Sequence, residues 1–300
     1  MTAVAERTPG RAASTRALLT ATRPKQWVKN LLVLAAPAAA GVLFKPSVAV
    51  HVVLTLVAMT LTSAACYLTN DVLDRHVDRL HVVKSRRPIA SGAVSVQRAL
   101  ATAAVLGGLG LALAAAIAVQ VLAVAATYAT LTLLYAVRLK HVPWLELAVV
   151  ASGFVLRALA GAAAASVDAS EWFLVVVTSA ALIIVAGKRT SELVSEGVRA
   201  RPVLLSYRRG QLRAVTLGAT GALVCSYAGW AAFRPDPLAS RLALASLVPV
   251  LLVLGRWARE TARGLTGAPE DVLLLDPWVR AGVLAWGCLF VSTVLVALPG

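Results

Sequence analysis

"LTNDVLDRHVDRLHVVKSRRPIASG", residues 68–92, sets three aspartates, two histidines and a run of cations into a chain that is otherwise mostly Ala, Val and Leu. An apolar run ends where this stretch begins, and another starts a few residues beyond it. The polar segment therefore caps two greasy elements. Its place and its spacing decide both the architecture and the chemistry.

Working outward, hydrophobic residues are 59% of the chain and charged ones 14%. Mean hydropathy is +0.79, far outside the range of a water-soluble domain. A helix needs roughly 20 apolar residues to cross the hydrocarbon of a bilayer. Runs of that kind recur at 27–44, 47–69, 97–118, 120–138, 143–165, 171–188, 212–233, 237–256 and 278–298. The expectation is an all-α, polytopic membrane protein of nine helices, with a polar leader over 1–26 and one membrane domain over 27–300. The leader runs directly into the first span with no small-residue cleavage site, so no cleavable signal is expected.

The formal net charge of +15 would point to nucleic acid in a soluble protein. Here its distribution matters more than its sum, and no nucleic acid is expected. With the N-terminus inside, nearly all Lys and Arg fall on one side, and Lys45, Arg234 and Arg241 are left outside. By the positive-inside rule, 68–92 faces the cytoplasm of a plasma-membrane protein whose C-terminus is external. Cys66, Cys225 and Cys288 stand alone in apolar spans and read as small hydrophobes.

Asp71, Asp74 and Asp78 lie at i, i+3 and i+7, so a helix puts them on one face, with Asn70 opening the set. Clustered carboxylates repel one another unless a cation sits among them, and hard divalent ions prefer oxygen ligands. Magnesium keeps much of its water and binds one or two carboxylates together with substrate phosphates, so the trio suggests a metal-bridged diphosphate. The plainer reading is a solvated helix end whose adjacent Asp–Arg pairs balance charge, but such neighbours face each other poorly. Downstream, Lys84, Arg86 and Arg87 precede Pro88 and a Ser91-Gly92 turn, which holds them on a loop. Arg87 can fork two donors onto a phosphate and Lys84 supplies a point charge; Arg86 reads better as a headgroup contact. Arg157, deep in a span, is expensive there and should face a partner or a polar cavity.

"NDVLDRHVD" resembles the NDxxDxxxD signature of the UbiA-type intramembrane prenyltransferases, and "RRPIASG" resembles the turn that follows it. The resemblance implies a helical bundle with a central cavity open to the cytoplasm, in which the aspartates bind Mg2+ and a substrate diphosphate. Typical members carry a second aspartate-rich motif after the sixth helix. This chain instead reads "GKRTSELVSEG", with Lys188 and Arg189 at the membrane edge and Glu192 and Glu196 on a shared face. Fixed cations in that place suggest a donor with another phosphate to hold.

"RPKQWVKN" with Lys29, "LYAVRLKH" with Tyr135 and Lys140, "GFVLRALAG" with Arg157, and "GAPEDVLLLD" resemble one branch of that superfamily. There the polyprenyl (decaprenyl) phosphate is the acceptor and 5-phosphoribosyl 1-diphosphate the donor, and the product feeds cell-wall arabinan synthesis. The resemblance implies catalytic roles for Asp71, Asp74 and Asp78, and Asn70 beside them as a metal ligand. It implies substrate contacts at Lys29, Asn70, Lys84, Arg87, Tyr135, Lys140, Arg157, Lys188, Arg189 and Glu192. His76 stands where that branch should carry an acid, so it is not expected to bind metal. Glu270, Asp271 and Asp276 read as a solvated loop. A conventional prenyltransferase is the nearest rival and a transporter or lipid scramblase a distant one; the sequence is compatible with a monomer or a homo-oligomer.

Overall fold

A computed structural model describes residues 11–195 and 202–297, and these are helical with no strand among them. The helices are α1 (Arg11–Ala21), α2 (Ala35–Ala39), α3 (Pro46–Arg79), α4 (Val96–Ile117), α5 (Val119–Val137), α6 (Leu145–Ala165), α7 (Glu171–Ser195), α8 (Arg209–Ala232), α9 (Pro237–Ala245), α10 (Leu247–Ala262), α11 (Pro269–Leu275) and α12 (Pro277–Val296). Among the described residues, eight helices are long and apolar enough to cross a membrane, with α9 and α10 together counted as one of 26 residues. The break between those two follows from Pro249: it cannot donate to the Ala245 carbonyl and its ring crowds it.

The structure departs from the expected nine at the first span. Residues 24–34 form a 3-10 helix, and only Ala35–Ala39 continues as α-helix. Pro24 starts the segment, Pro37 interrupts the α-helical ladder, and Gly41, at φ 71°, ends it. Hydropathy reports that a stretch is apolar, not how tightly it is wound. The expected division at residue 26 falls inside this 3-10 helix.

The chain is a set of neighbouring hairpins: α3 packs along α4, α5 along α6, α7 along α8, and α12 against α9 and α10. The core between α3, α5, α6 and the 3-10 helix is built from Val33, Val52, Met59, Cys66, Val121 and Tyr128. A second core joins α6, α7 and α8 through Leu147, Val185, Leu204 and Leu212. Large side chains such as Val105, Leu252 and Leu284 face outward, as expected where lipid is the solvent. Small residues set the interhelical distances.

The tightest contact is at Gly161 on α6, where an added Cβ would stand 1.8 Å from the Val33 carbonyl oxygen. That oxygen belongs to the 3-10 helix, so the helix cannot yield without moving as a unit. Gly161→Ala is expected to destabilise the fold by about 2–3 kcal/mol, at the upper end of ordinary overpacking. Thermal unfolding in detergent checks this, and an unchanged midpoint would show that the 3-10 helix is not seated against α6 as described.

Helix α3 has 34 residues. At 1.5 Å each it is about 50 Å long, well beyond the roughly 30 Å of a bilayer core. Its C-terminal turns therefore project past the apolar layer, and these turns carry Asn70 to Arg79.

Candidate active site

The three aspartates do share a face of α3, and cations from three other parts of the chain, Arg23, Arg87 and Lys140, meet them. Arg87 Nη1 lies 3.1 Å from Asp71 Oδ1 and 2.6 Å from Asp78 Oδ2. Asp71 Oδ1 also accepts from Arg23, whose guanidinium sits over the Tyr67 ring at 5.3 Å. Asp74 pairs with Lys140 and accepts from Asn70 Nδ2 at 3.1 Å. Asp71 and Asp78 are buried, and Asp74 is half-buried.

Local sequence explains how each cation arrives. Pro88 disfavours helical backbone at the residue before it, and Arg87 is extended, with ψ 142°. The Arg79 guanidinium donates to the Ala90 carbonyl at 2.8 Å and Gly92 takes φ 83°, so the loop folds back over α3. Lys140 sits on the single 3-10 turn Leu139–His141 that ends α5. Arg23 takes a left-handed backbone, φ 58°, between α1 and the 3-10 helix. Such a conformation at a non-glycine residue costs on the order of 1 kcal/mol and marks a junction held by its surroundings. His76 forms no ion pair or hydrogen bond with these carboxylates.

The 3-10 helix ties α3 to the other end of the chain. Lys29 Nζ lies 3.4 Å from Glu270 Oε2, Gln26 donates to Glu270, and Lys25 lies 3.2 Å from Asp271. The 270–276 segment is thus no solvated loop: Glu270 and Asp271 open α11, and Asp276 caps α12 and pairs with Arg256 at 2.8 Å. Burial pushes the Glu270 carboxyl up, but Lys29, hydrogen bonds including that of Gln26, and Lys188 outweigh it and hold the group below the ordinary carboxylate range. Lys188 and Lys29 therefore act on the same acid from α7 and from the 3-10 helix.

Arg189 is 2% exposed and engaged on all sides. It forks onto Glu146 at 2.7 and 2.6 Å, donates to Glu192 at 2.6 Å, and reaches the Tyr135 hydroxyl at 3.4 Å. Glu146 also accepts from the Tyr207 hydroxyl at 3.0 Å. Arg189 thus binds Glu192, Tyr135 and the segment carrying Tyr207 into one buried unit. Glu196 lies outside the described residues. Sequence reasoning missed Glu146 as well as Arg23, Asn30 and Tyr128, although an acid in the first turn of an apolar span is itself a signal.

Arg157, the buried span cation, is met by neutral groups alone: Asn30 Oδ1 at 2.7 Å, the Gly153 carbonyl at 2.6 Å and the Tyr128 hydroxyl at 2.8 Å. Lys84 lies on the 3-10 turn that precedes Arg87.

Among the described residues no three acidic, His or Cys groups gather closely enough to enclose a metal ion unaided. The donor chemistry still suits magnesium. Two carboxylate oxygens converge on one cationic nitrogen, and magnesium characteristically takes a minority of its ligands from protein and the rest from water and phosphate.

Comparison with known proteins places the chain in a family. The chain is 39% identical over 274 residues to the decaprenyl-phosphate phosphoribosyltransferase of Mycobacterium tuberculosis, covering 89% of this chain and 90% of that one. It is 37% identical over 288 residues to the protein of the same name from Corynebacterium glutamicum, covering 93% and 87%. In fold it is similar to a UbiA homolog from Archaeoglobus fulgidus bound to DMAPP and Mg2+, at a TM-score of 0.68 and 21% identity, covering 93% of this chain and 98% of that one. The model of the UbiA prenyltransferase family matches residues 31–265, from the 3-10 helix through the turn after α10. This multi-pass helical chain belongs to the UbiA prenyltransferase family.

Proposed function

We propose that the chain transfers a 5-phosphoribosyl group from 5-phosphoribosyl 1-diphosphate to a polyprenyl phosphate such as decaprenyl phosphate, releasing diphosphate and yielding a lipid-linked pentose for arabinan assembly. The observation that carries the reading is the convergence of Asp71 and Asp78 on one cationic nitrogen. Near-full-length similarity to proteins named for this transfer supports the choice of donor.

Asn70, Asp71, Asp74 and Asp78 would hold Mg2+. Bound there with the donor, the ion would neutralise the charge that builds on the departing diphosphate. Arg87, Arg23 and Lys140, which now neutralise those carboxylates, then have charge to give to phosphate oxygens. Lys84 precedes Arg87 on the same loop, and Lys29 and Lys188 supply cations near Glu270. Arg189 acts as a positioning residue, fixing Glu192 and Tyr135.

In the transfer an oxygen of the polyprenyl phosphate forms a bond to the anomeric carbon. The bond from that carbon to the diphosphate oxygen breaks, and its electron pair leaves with the diphosphate. A phosphate monoester is already ionised near neutral pH, its second pKa being about 6, so the nucleophile needs no general base. The protein's task is to bring two anions together, orient them and exclude water. By the charge distribution, this end of the bundle faces the cytoplasm of the plasma membrane.

Purified protein given Mg2+, labelled 5-phosphoribosyl 1-diphosphate and polyprenyl phosphate is expected to form labelled lipid with one equivalent of diphosphate. Incorporation from a prenyl diphosphate alone would instead establish a conventional prenyltransferase.

A further inference from the structure

Arg157 is 4% exposed, within α6, and no described carboxylate lies within ion-pairing distance of it. Arg23, Lys29, Arg87, Lys140 and Arg189 each have an acid beside them. Removing a guanidinium from water without an opposite charge costs several kcal/mol, and neutral acceptors offset only part of that. Its retained donors matter too: three are spent on Asn30, Gly153 and Tyr128, and a guanidinium has more.

The surroundings hold this group in place rather than neutralise it. Asn30 is itself fixed by two bonds, to Thr60 at 3.1 Å and to Ser63 at 3.2 Å on α3. The Tyr128 ring lies under the guanidinium at 4.6 Å. Gly153 contributes only backbone, and an added Cβ there would stand 3.4 Å from Arg157 Nη1. A planar fork thus pre-set by four elements is a receptor for an oxyanion.

Its depth says which oxyanion. Asn30 contacts α3 at Ser63, two turns toward the apolar layer from Asp71, which places Arg157 on the order of 10 Å deeper than the acidic face. A soluble donor enters from the Lys/Arg-rich end and meets Lys84, Arg87 and Lys188 first. A phosphate that reaches the site with its carrier chain still among the helices meets Arg157. The interval between the two levels suits one sugar carbon flanked by an entering and a departing phosphate.

We propose that Arg157, with Asn30 and Tyr128, is the subsite for the acceptor's phosphate: a phosphate monoester borne on a membrane lipid. The assignment rests on the transfer proposed above for the identity of the reaction, but not for the binding itself.

The test uses the full-length protein in nanodiscs, without Mg2+ or donor, and compares farnesyl phosphate with farnesol and with inorganic phosphate. Wild type is expected to bind farnesyl phosphate at least about tenfold more tightly than either, roughly one charge-assisted contact. Arg157→Met should abolish that preference, and Arg157→Lys should keep part of it. In turnover, Arg157→Lys should raise KM for polyprenyl phosphate about tenfold and leave KM for 5-phosphoribosyl 1-diphosphate unchanged. A preference that survives Arg157→Met, or equal rises in both KM values for Arg157→Lys, would overturn the assignment. Should Arg157→Met not fold, the Arg157→Lys comparison decides alone. Wild type that binds farnesyl phosphate selectively but makes no lipid from the phosphoribosyl donor would defeat the proposed reaction and keep the subsite.

Discussion

Asp71→Asn and Asp78→Asn are each expected to cut turnover by roughly 10²–10³-fold or more, the loss seen when a preorganised charge-stabilising group is removed. Asn keeps the shape of the side chain and one acceptor oxygen, for Arg23 or Arg87 at position 71 and for Arg87 at position 78, while the negative charge is lost and the other oxygen becomes an amide donor. A role confined to folding would therefore tolerate the change, whereas a metal ligand would not. The protein should remain inserted and monodisperse, because Arg87 keeps the other of its two carboxylates in either variant. Initial rates with saturating donor and acceptor, read beside size exclusion in detergent, check both halves. Near-normal turnover in both variants would exclude a metal-holding role for α3.

The largest expected effect on stability is at Arg189 and Glu146. Both are buried, at 2% and 0% side-chain exposure, and they share two short hydrogen bonds. Removing one member of a buried pair strands the other, at a cost of about 3–5 kcal/mol. Arg189→Met leaves Glu146 with the Tyr207 hydroxyl as its remaining partner and should lower the unfolding midpoint and the yield of folded protein. Replacing both, Arg189→Met with Glu146→Gln, should recover much of the loss, because Glu146, the fully buried acid of the pair, then carries no charge. Equal midpoints for wild type and Arg189→Met would show that the pair does not hold α6 to α7.

Local features of the chain were legible, and features made by distant segments were not. The spacing of Asp71, Asp74 and Asp78 fixes their common face because the helix repeat is a local property. The apolar runs located the spans because length and hydropathy are local as well. The segment 27–44 is not one of the eight long apolar helices because prolines at 24 and 37 act on the hydrogen-bond ladder and not on hydropathy. The 270–276 segment looked like a loop because its partners, Lys25, Gln26 and Lys29, lie far away in sequence. Arg23 reaches Asp71, and Asn30 reaches Arg157, across 48 and 127 positions. No spacing rule spans such separations. Arg157 did advertise itself, since a cation in an apolar run always asks for an explanation.

The central claim is that the acidic face of α3 grips the leaving diphosphate through a divalent ion, and that the cations now on it turn toward phosphate. A structure determined with Mn2+ and 5-phosphoribosyl 1-diphosphate tests this most directly, through the anomalous signal of the metal. The expected result is manganese between the Asp71 and Asp78 carboxylates, with Arg87 on the diphosphate. Arg87 still joining both aspartates, with the metal and the diphosphate bound elsewhere, would contradict it.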